Sequence, residues 1–117
     1  MSDRGRDAED LAATFLQQQG LQVIERNYRC RFGEIDLIAR DGKTLVFVEV
    51  RMRSNDSFGG AATSITAAKR RKLTRTARHY LAGVAKLPEC RFDALLVSGA
   101  GHTLEWLKNA FEEQEYR

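Results

Sequence analysis

Residues 33–51 have the sequence GEIDLIARDGKTLVFVEVR, which predicts a β-hairpin. The first arm, Glu34–Arg40, alternates between polar and apolar residues, and the second arm, Thr44–Arg51, is rich in β-branched residues. Asp41-Gly42 lies between the arms, and Asp-Gly is a strong signal for a two-residue hairpin turn. An antiparallel pair of strands is therefore expected in this part of the chain.

The turn determines which side chains of the hairpin are neighbours. Closed at Asp41-Gly42, it places Asp36 opposite Phe47, and further from the turn it places Glu34 opposite Glu49. Asp36 and Glu49 are then diagonal neighbours with roughly 7–8 Å between their backbones, so both carboxylates can bind one divalent cation. One face of the hairpin is expected to carry Glu34, Asp36, Phe47, Glu49 and Arg51. The other, a core face, is expected to carry Ile35, Leu37, Val46, Val48 and Val50.

The acidic residues at the open end of the hairpin have two explanations. Glu34 directly opposite Glu49 is destabilising unless positive charge lies between them, and Arg51 or a metal ion can supply that charge. The alternative is a solvent-facing polar surface on which Arg51 neutralises its neighbours. The pairing also depends on the turn, because a three-residue turn with a bulge would direct Glu49 away from Asp36.

The flanking segments predict two helices and three further strands. An amphipathic helix over Asp7–Gln19 is followed by Gly20, which favours a left-handed helix stop. After a flexible connection over Ser54–Ala62, a long amphipathic helix runs to Leu87-Pro88. The other strands and a C-terminal tail are predicted at Leu21–Tyr28, Phe92–Val97, His102–Leu107 and Asn109–Arg117. The order α-β-β-β-α-β-β predicts an α/β fold, with a mixed sheet flanked by helices.

Length and composition indicate an ordinary globular protein. The 117 residues, 43% of them hydrophobic, are expected to form one domain over 1–117. The sequence contains neither the long apolar run of a membrane span nor the apolar core of a signal peptide, so a cytoplasmic protein is expected. Cys30 and Cys90 have no metal-site spacing, and buried, reduced thiols are expected at both positions.

The positive charge of the chain is concentrated in one segment. The net charge is +3, but residues 57–88 contain seven Lys and Arg residues and no Asp or Glu. Such a segment is most simply explained by a polyanionic partner, either nucleic acid or an acidic protein, although a solvated helix face explains many such runs. Lys69 and Lys72 lie toward the apolar edge of the second helix, where they can either reach phosphate or extend past Leu73 to water.

The hairpin residues resemble a known signature. Residues 33–39 and 45–51, followed by Arg53, resemble the YraN-like uncharacterised family, which is placed in the restriction-endonuclease-like superfamily. The resemblance continues through Glu9, Lys69 and the Arg91-Phe92-Asp93 motif, and so spans nearly the whole chain. It implies a restriction-endonuclease-like core, distantly similar to archaeal Holliday-junction resolvases.

This resemblance implies a role for four residues. In the superfamily an aspartate on one strand and Glu-x-Lys on the next form the active site, which corresponds to Asp36 and Glu49 as ligands of Mg²⁺ or Mn²⁺. Glu9 would be a third metal-binding carboxylate, although an exposed helix glutamate is usually only solvated. Arg51 stands where lysine is usual, and its guanidinium can supply charge but cannot act as a base.

The combined expectation is a metal-dependent endonuclease-like protein that binds structured or branched DNA and hydrolyses phosphodiester bonds. Asp36, Glu49, Arg51 and Glu9 would be its catalytic residues. The expected contacts to backbone phosphates are Lys69, Arg70, Arg71, Arg75 and Arg78. Two alternatives remain open: a non-catalytic nucleic-acid-binding module on the same fold, and a protein-interaction module whose basic helix binds an acidic partner. A homodimer is also left open, and no membrane association is expected.

Overall fold

The computed structural model describes residues 4–53, 65–98 and 103–111. The elements are α1 (Arg4–Gln18), β1 (Gln22–Cys30), β2 (Gly33–Asp41), β3 (Thr44–Arg53), α2 (Ala67–Leu81), β4 (Glu89–Ser98) and β5 (Leu104–Phe111). This order confirms the predicted α-β-β-β-α-β-β arrangement. Among the described residues, neither helix is long and apolar enough to cross a membrane.

The five strands form one mixed sheet in the order β1-β2-β3-β4-β5. The pairs β1–β2, β2–β3 and β4–β5 are antiparallel, and β3–β4 is parallel. Parallel neighbours need a long crossover connection. The segment between β3 and β4 contains α2, and the predicted mixed sheet flanked by helices is therefore confirmed.

Both faces of the sheet are buried. On one face, Ala12 and Leu16 of α1 pack against a cluster formed by Leu37, Ala39, Val46, Val48 and Leu95. On the other face, Leu73 and Ala77 of α2 pack against a cluster that includes Ile38, Leu45, Phe47, Phe92 and Leu96. The alternative of a solvent-facing polar surface on the hairpin is wrong at Phe47 and Glu49, which are both buried, although Arg51 does pair with Glu49.

The register of the hairpin differs from the predicted one. The two-residue turn is Gly42-Lys43, closed by Asp41 and Thr44, so Phe47 lies opposite Ile38 and not opposite Asp36. Gly42 has a φ of +62°. Both common two-residue hairpin turns require positive φ at this first central position, where glycine adopts it without steric cost. The predicted pairing of Glu34 with Glu49 is wrong for the same reason.

Several element boundaries also differ from the predicted ones. The second helix ends at Leu81 and not at Leu87-Pro88, since the chain turns through Ala82 and Gly83, whose N–H groups bond back to the last helical carbonyls. Strand β5 continues to Phe111, because that ring stacks on Phe92 in the core. The connection over Ser54–Ala62 and the end of the C-terminal tail lie outside the described residues.

The stop of the first helix agrees with expectation, whereas the burial of the cysteines does not. Gly20 has a φ of +96°, as a left-handed helix stop requires. Cys30 and Cys90 are not joined in a disulfide, but the prediction that both are buried is wrong, because Cys30 is only partly buried and Cys90 is exposed.

Candidate functional site

Asp36 and Glu49 lie immediately beyond the last paired residues of β2 and β3. The ladder between the two strands ends at the pair Leu37 and Val48, and the next residue on each strand is a carboxylate. Asp36 Oδ2 accepts a 2.8 Å hydrogen bond from the backbone N–H of Val50. The Asp36 carboxylate thus accepts the hydrogen bond that the Val50 N–H group would otherwise donate to a backbone carbonyl of β2. Asp36 and Glu49 therefore lie where the two strands stop pairing.

The regular alternation of β2 is interrupted at Asp36. Ile35 packs in the cluster beneath α2 together with Ile38, whereas Leu37 packs in the cluster beneath α1. In a regular strand Ile35 and Leu37 would share a face, as the sequence predicted. Because the interruption lies between them, the Asp36 carboxylate is directed toward β3, where it reaches the Val50 N–H group.

Glu49 is the more deeply buried of the two acids, with 6% of its surface exposed. Two cations accompany it. Lys69 Nζ of α2 lies 3.0 Å from Glu49 Oε2, and Arg51 Nη1 of β3 lies 3.5 Å from the same oxygen. A buried carboxylate without a partner is strongly destabilising, so these cations are needed for the strand to keep a charge at this position.

The start of α2 places Lys69 over Glu49. The Thr66 hydroxyl caps the helix by accepting a hydrogen bond from the backbone N–H of Lys69. Lys69 is therefore in the first helical turn, and Leu73, one turn later, is buried against the sheet. The sequence predicts phosphate binding by Lys69 but not its contact with Glu49.

The environment of Asp36 opposes its ionisation. Burial, followed by the nearby charge of Glu49, raises the pKa of Asp36 from 3.8 to about 7, and Glu9 and Glu34 act in the same direction. The hydrogen bond from Val50 N–H opposes this rise without cancelling it. Glu49, and to a smaller extent Glu9 and Glu34, therefore surround Asp36 with negative charge that a bound cation would offset.

Glu9 is close enough to Asp36 to raise its pKa, but it also forms an ion pair with an arginine of β1. It lies on α1, and Arg26 Nη2 of β1 is 3.9 Å from its Oε1. Arg26 also pairs with Asp10. Within residues 4–53, 65–98 and 103–111, no three Asp, Glu, His or Cys side chains are close enough together to hold a metal ion. The predicted third ligand is therefore a neighbour of the Asp36–Glu49 pair, not a preassembled part of it.

A groove of about 450 Å³ opens beside Lys69. It lies between the β1–β2 turn and α2, and three of its seven lining residues are basic, whereas one is acidic. Its lining comprises Arg29, Cys30, Gly33, Glu34, Lys69, Lys72 and Leu73. Gly33, with a φ of +149°, allows the turn to approach the helix closely, because a Cβ there would lie 3.1 Å from Thr76 Oγ1. We refer to this feature as the basic groove.

The five predicted phosphate-binding residues of α2 lie in three different environments. Lys69 contacts Glu49. Arg70 is turned the other way, because its Nε donates to the Ile65 carbonyl at 3.0 Å and its guanidinium lies over the Phe111 ring. We call the remaining three, which are exposed, the outer arginines: Arg71, Arg75 and Arg78.

A second buried carboxylate has a structural role that sequence analysis missed. Asp93 is fully buried and accepts hydrogen bonds from Trp106 Nε1 at 2.9 Å and from Asn109 N–H at 2.8 Å. Arg91 Nε donates to it at 3.0 Å, and Arg91 also pairs with Asp41. The spacing of Arg91 and Asp93 on one strand was the available signal, since alternate residues share a face. This network joins β4 to β5 and to the β2–β3 turn.

Comparison with known proteins identifies a family match over most of the chain. The model described as "Uncharacterised protein family UPF0102" matches residues 8–97. A UPF0102 protein of Nitrosomonas europaea is 64% identical over 112 residues, 95% of each chain. UPF0102 proteins of Nitrosomonas eutropha and Nitrosospira multiformis are 63% and 58% identical, over 95% and 93% of this chain and 95% and 92% of their own lengths. These names state no activity.

Proposed function

This chain belongs to the UPF0102 family, the YraN-like family that its hairpin resembles, and from its carboxylate site we propose that it is a metal-dependent nuclease. Its reaction would be hydrolysis of phosphodiester bonds, with structured or branched DNA as substrate. The observation that carries this proposal is the meeting of Asp36 and Glu49 at the end of the β2–β3 ladder, with Lys69 and Arg51 within 3.5 Å of Glu49.

The two carboxylates suit Mg²⁺ or Mn²⁺. Oxygen ligands are those that hard cations prefer, and Mg²⁺ is commonly held by one or two carboxylates together with waters and substrate phosphates. The raised pKa of Asp36, caused by burial and by Glu49, reflects a concentration of negative charge that a cation would offset. Glu9 would add to the negative potential from α1 without occupying a coordination position itself.

The residues of the site would divide the chemistry as follows. When bound, the metal ion would polarise the phosphate and lower the pKa of a water molecule. Asp36 and Glu49 would hold the ion. Lys69 and Arg51 would pair with Glu49 and place positive charge beside the substrate phosphate, which becomes more negative in the transition state. Arg51 would not act as a base, because guanidinium does not lose its proton in proteins.

The basic groove supports a nucleic acid as substrate. Arg29, Lys69 and Lys72 line it directly beside Glu34. Lys72 and Arg75 are three residues apart on α2 and therefore neighbours on the helix surface, so positive charge continues from the groove to the outer arginines. Such a surface suits contacts to successive backbone phosphates, which position a duplex without selecting its sequence.

Single-turnover cleavage of four-way-junction, duplex and single-stranded DNA tests the proposal. We expect cleavage with Mn²⁺ or Mg²⁺, none with EDTA, and a loss of at least about 100-fold in Asp36→Asn and Glu49→Gln. Glu89→Gln, which removes an exposed carboxylate at the start of β4, is the matched control and should cleave like the wild type.

The alternatives predict different outcomes of the same experiment. Salt-sensitive DNA binding without metal-dependent cleavage would favour the non-catalytic binding module. Neither binding nor cleavage of any nucleic acid would favour a protein-interaction module. Cleavage by Glu49→Gln at the wild-type rate would indicate a contaminating nuclease and contradict the proposed site.

A further inference from the structure

Glu49 is shared by two cations that come from different elements of the fold. Arg51 lies two residues along the same strand, at 3.5 Å from Oε2, whereas Lys69 reaches the same oxygen from α2 at 3.0 Å. We propose that Lys69, and not Arg51, is the catalytic cation that contacts the scissile phosphate. This inference rests on the proposed nuclease function and assigns a role within it.

The position of Lys69 supports this assignment. Lys69 lines the basic groove and also contacts Glu49. It therefore lies between the groove, which a nucleic-acid strand can enter, and the carboxylates beneath it. Its side chain is 43% exposed, whereas that of Glu49 is 7% exposed. An ammonium group has three donors, and one bond to Glu49 leaves others for a phosphate oxygen that approaches along the groove.

Local structure also holds Lys69 in place. Thr66 caps the helix through the Lys69 backbone, and Leu73 anchors the next turn against the core. The ammonium is therefore presented by a capped, packed helix end. A preorganised charge of this kind stabilises a transition state better than one that must move into place.

The hydrolysis step needs no proton from Lys69. The oxygen of a water molecule forms a bond to phosphorus, and the bond from phosphorus to the leaving sugar oxygen breaks. One water proton passes to solvent and the leaving oxygen takes a proton from solvent, so atoms and charge balance. Lys69 donates hydrogen bonds to a non-bridging oxygen, where negative charge increases, while Arg51 is a positioning residue that keeps Glu49 oriented.

Variants that remove or keep the positive charge at each position separate the roles of the two cations. We compare Lys69→Met, Lys69→Arg and Arg51→Met in single-turnover cleavage of four-way-junction DNA at saturating protein and Mn²⁺. Lys69→Met should be slower by about 100- to 1,000-fold, the usual cost of removing one transition-state donor, and Lys69→Arg should recover part of the rate. Arg51→Met should lose less than Lys69→Met. Lys43→Met, in the exposed β2–β3 turn, is the charge-matched control and should cleave like the wild type.

A second measurement separates catalysis from metal binding and folding. Mn²⁺ should still raise the melting temperature of Lys69→Met, because Asp36 and Glu49 remain and a competing cation has been removed. If the Mn²⁺ shift is lost in Lys69→Met, Lys69 acts by maintaining the metal site and the inference is wrong.

Failure of this inference is distinguishable from failure of the proposed function. If wild type cleaves, Asp36→Asn does not, and Lys69→Met cleaves at the wild-type rate, only the role of Lys69 is overturned. If Arg51→Met is slower than Lys69→Met, the roles of the two cations are reversed. If wild type cleaves no faster than Asp36→Asn, the nuclease proposal itself fails, and the role of Lys69 with it.

Discussion

Replacement of Asp36 by asparagine should stabilise the metal-free protein at alkaline pH. The asparagine side chain would retain an oxygen that can accept the Val50 N–H bond, but it would carry no charge beside Glu49. In wild type, burial and the charge of Glu49 raise the pKa of the Asp36 carboxyl group from 3.8 to about 7. Folding of the wild type therefore becomes less favourable as the group is forced to ionise.

The sign and size of the effect follow from proton linkage. Between pH 4 and 7 the folded state binds the Asp36 proton more tightly than the unfolded state, so the free energy of unfolding falls as pH rises through this range. The full shift corresponds to about 4 kcal/mol above pH 7, at about 1.4 kcal/mol for each pKa unit. Asparagine cannot ionise, and the advantage of Asp36→Asn over wild type should therefore grow by roughly 2–3 kcal/mol from pH 5 to pH 8.

Urea unfolding in EDTA at pH 5 and pH 8 measures this difference. Asp7→Asn, which removes an exposed carboxylate in the first turn of α1, is the control, and its effect should change by less than about 0.5 kcal/mol between the two pH values. An equal difference between Asp36→Asn and wild type at both pH values would refute the argument that Asp36 is held in a charge-repelling site.

Three further outcomes are expected. In thermal melts with and without metal, Mn²⁺ should raise the melting temperature of wild type, and an Mn²⁺ concentration of 100 times the dissociation constant corresponds to a stabilisation of about 2.7 kcal/mol. The double variant Asp36→Asn, Glu49→Gln should show no such rise. Binding to duplex DNA should weaken steeply with salt, and alanine at all three outer arginines should flatten the slope by roughly one unit per lost phosphate contact, whereas an unchanged slope would place the DNA elsewhere. Asp93→Ala should lower the free energy of unfolding by roughly 3–5 kcal/mol in urea titrations, because it leaves the partly buried Arg91 and Trp106 donors without this buried acceptor. A loss below about 1 kcal/mol would contradict the structural role assigned to Asp93.

The hairpin and its two acids were predictable because the signals for them are local. Alternation along the strands and a glycine at the turn act between near neighbours in the chain, and they predicted two paired strands with Asp36 and Glu49 close together. The register was not predictable in the same way. Asp41-Gly42 and Gly42-Lys43 both make acceptable two-residue turns on local grounds, and the interruption of alternation at Asp36 has no signal in the sequence.

The sequence by itself determined the order of the elements, the family signature and the residues that carry charge. Only the tertiary structure decided that Lys69 meets Glu49, that Arg70 packs against Phe111, and that the outer arginines remain exposed. The physical reason is that helical periodicity defines the relative directions of side chains on α2 but not the element that each one faces. That choice depends on how Leu73 and Ala77 pack onto the sheet, a contact between segments distant in the chain.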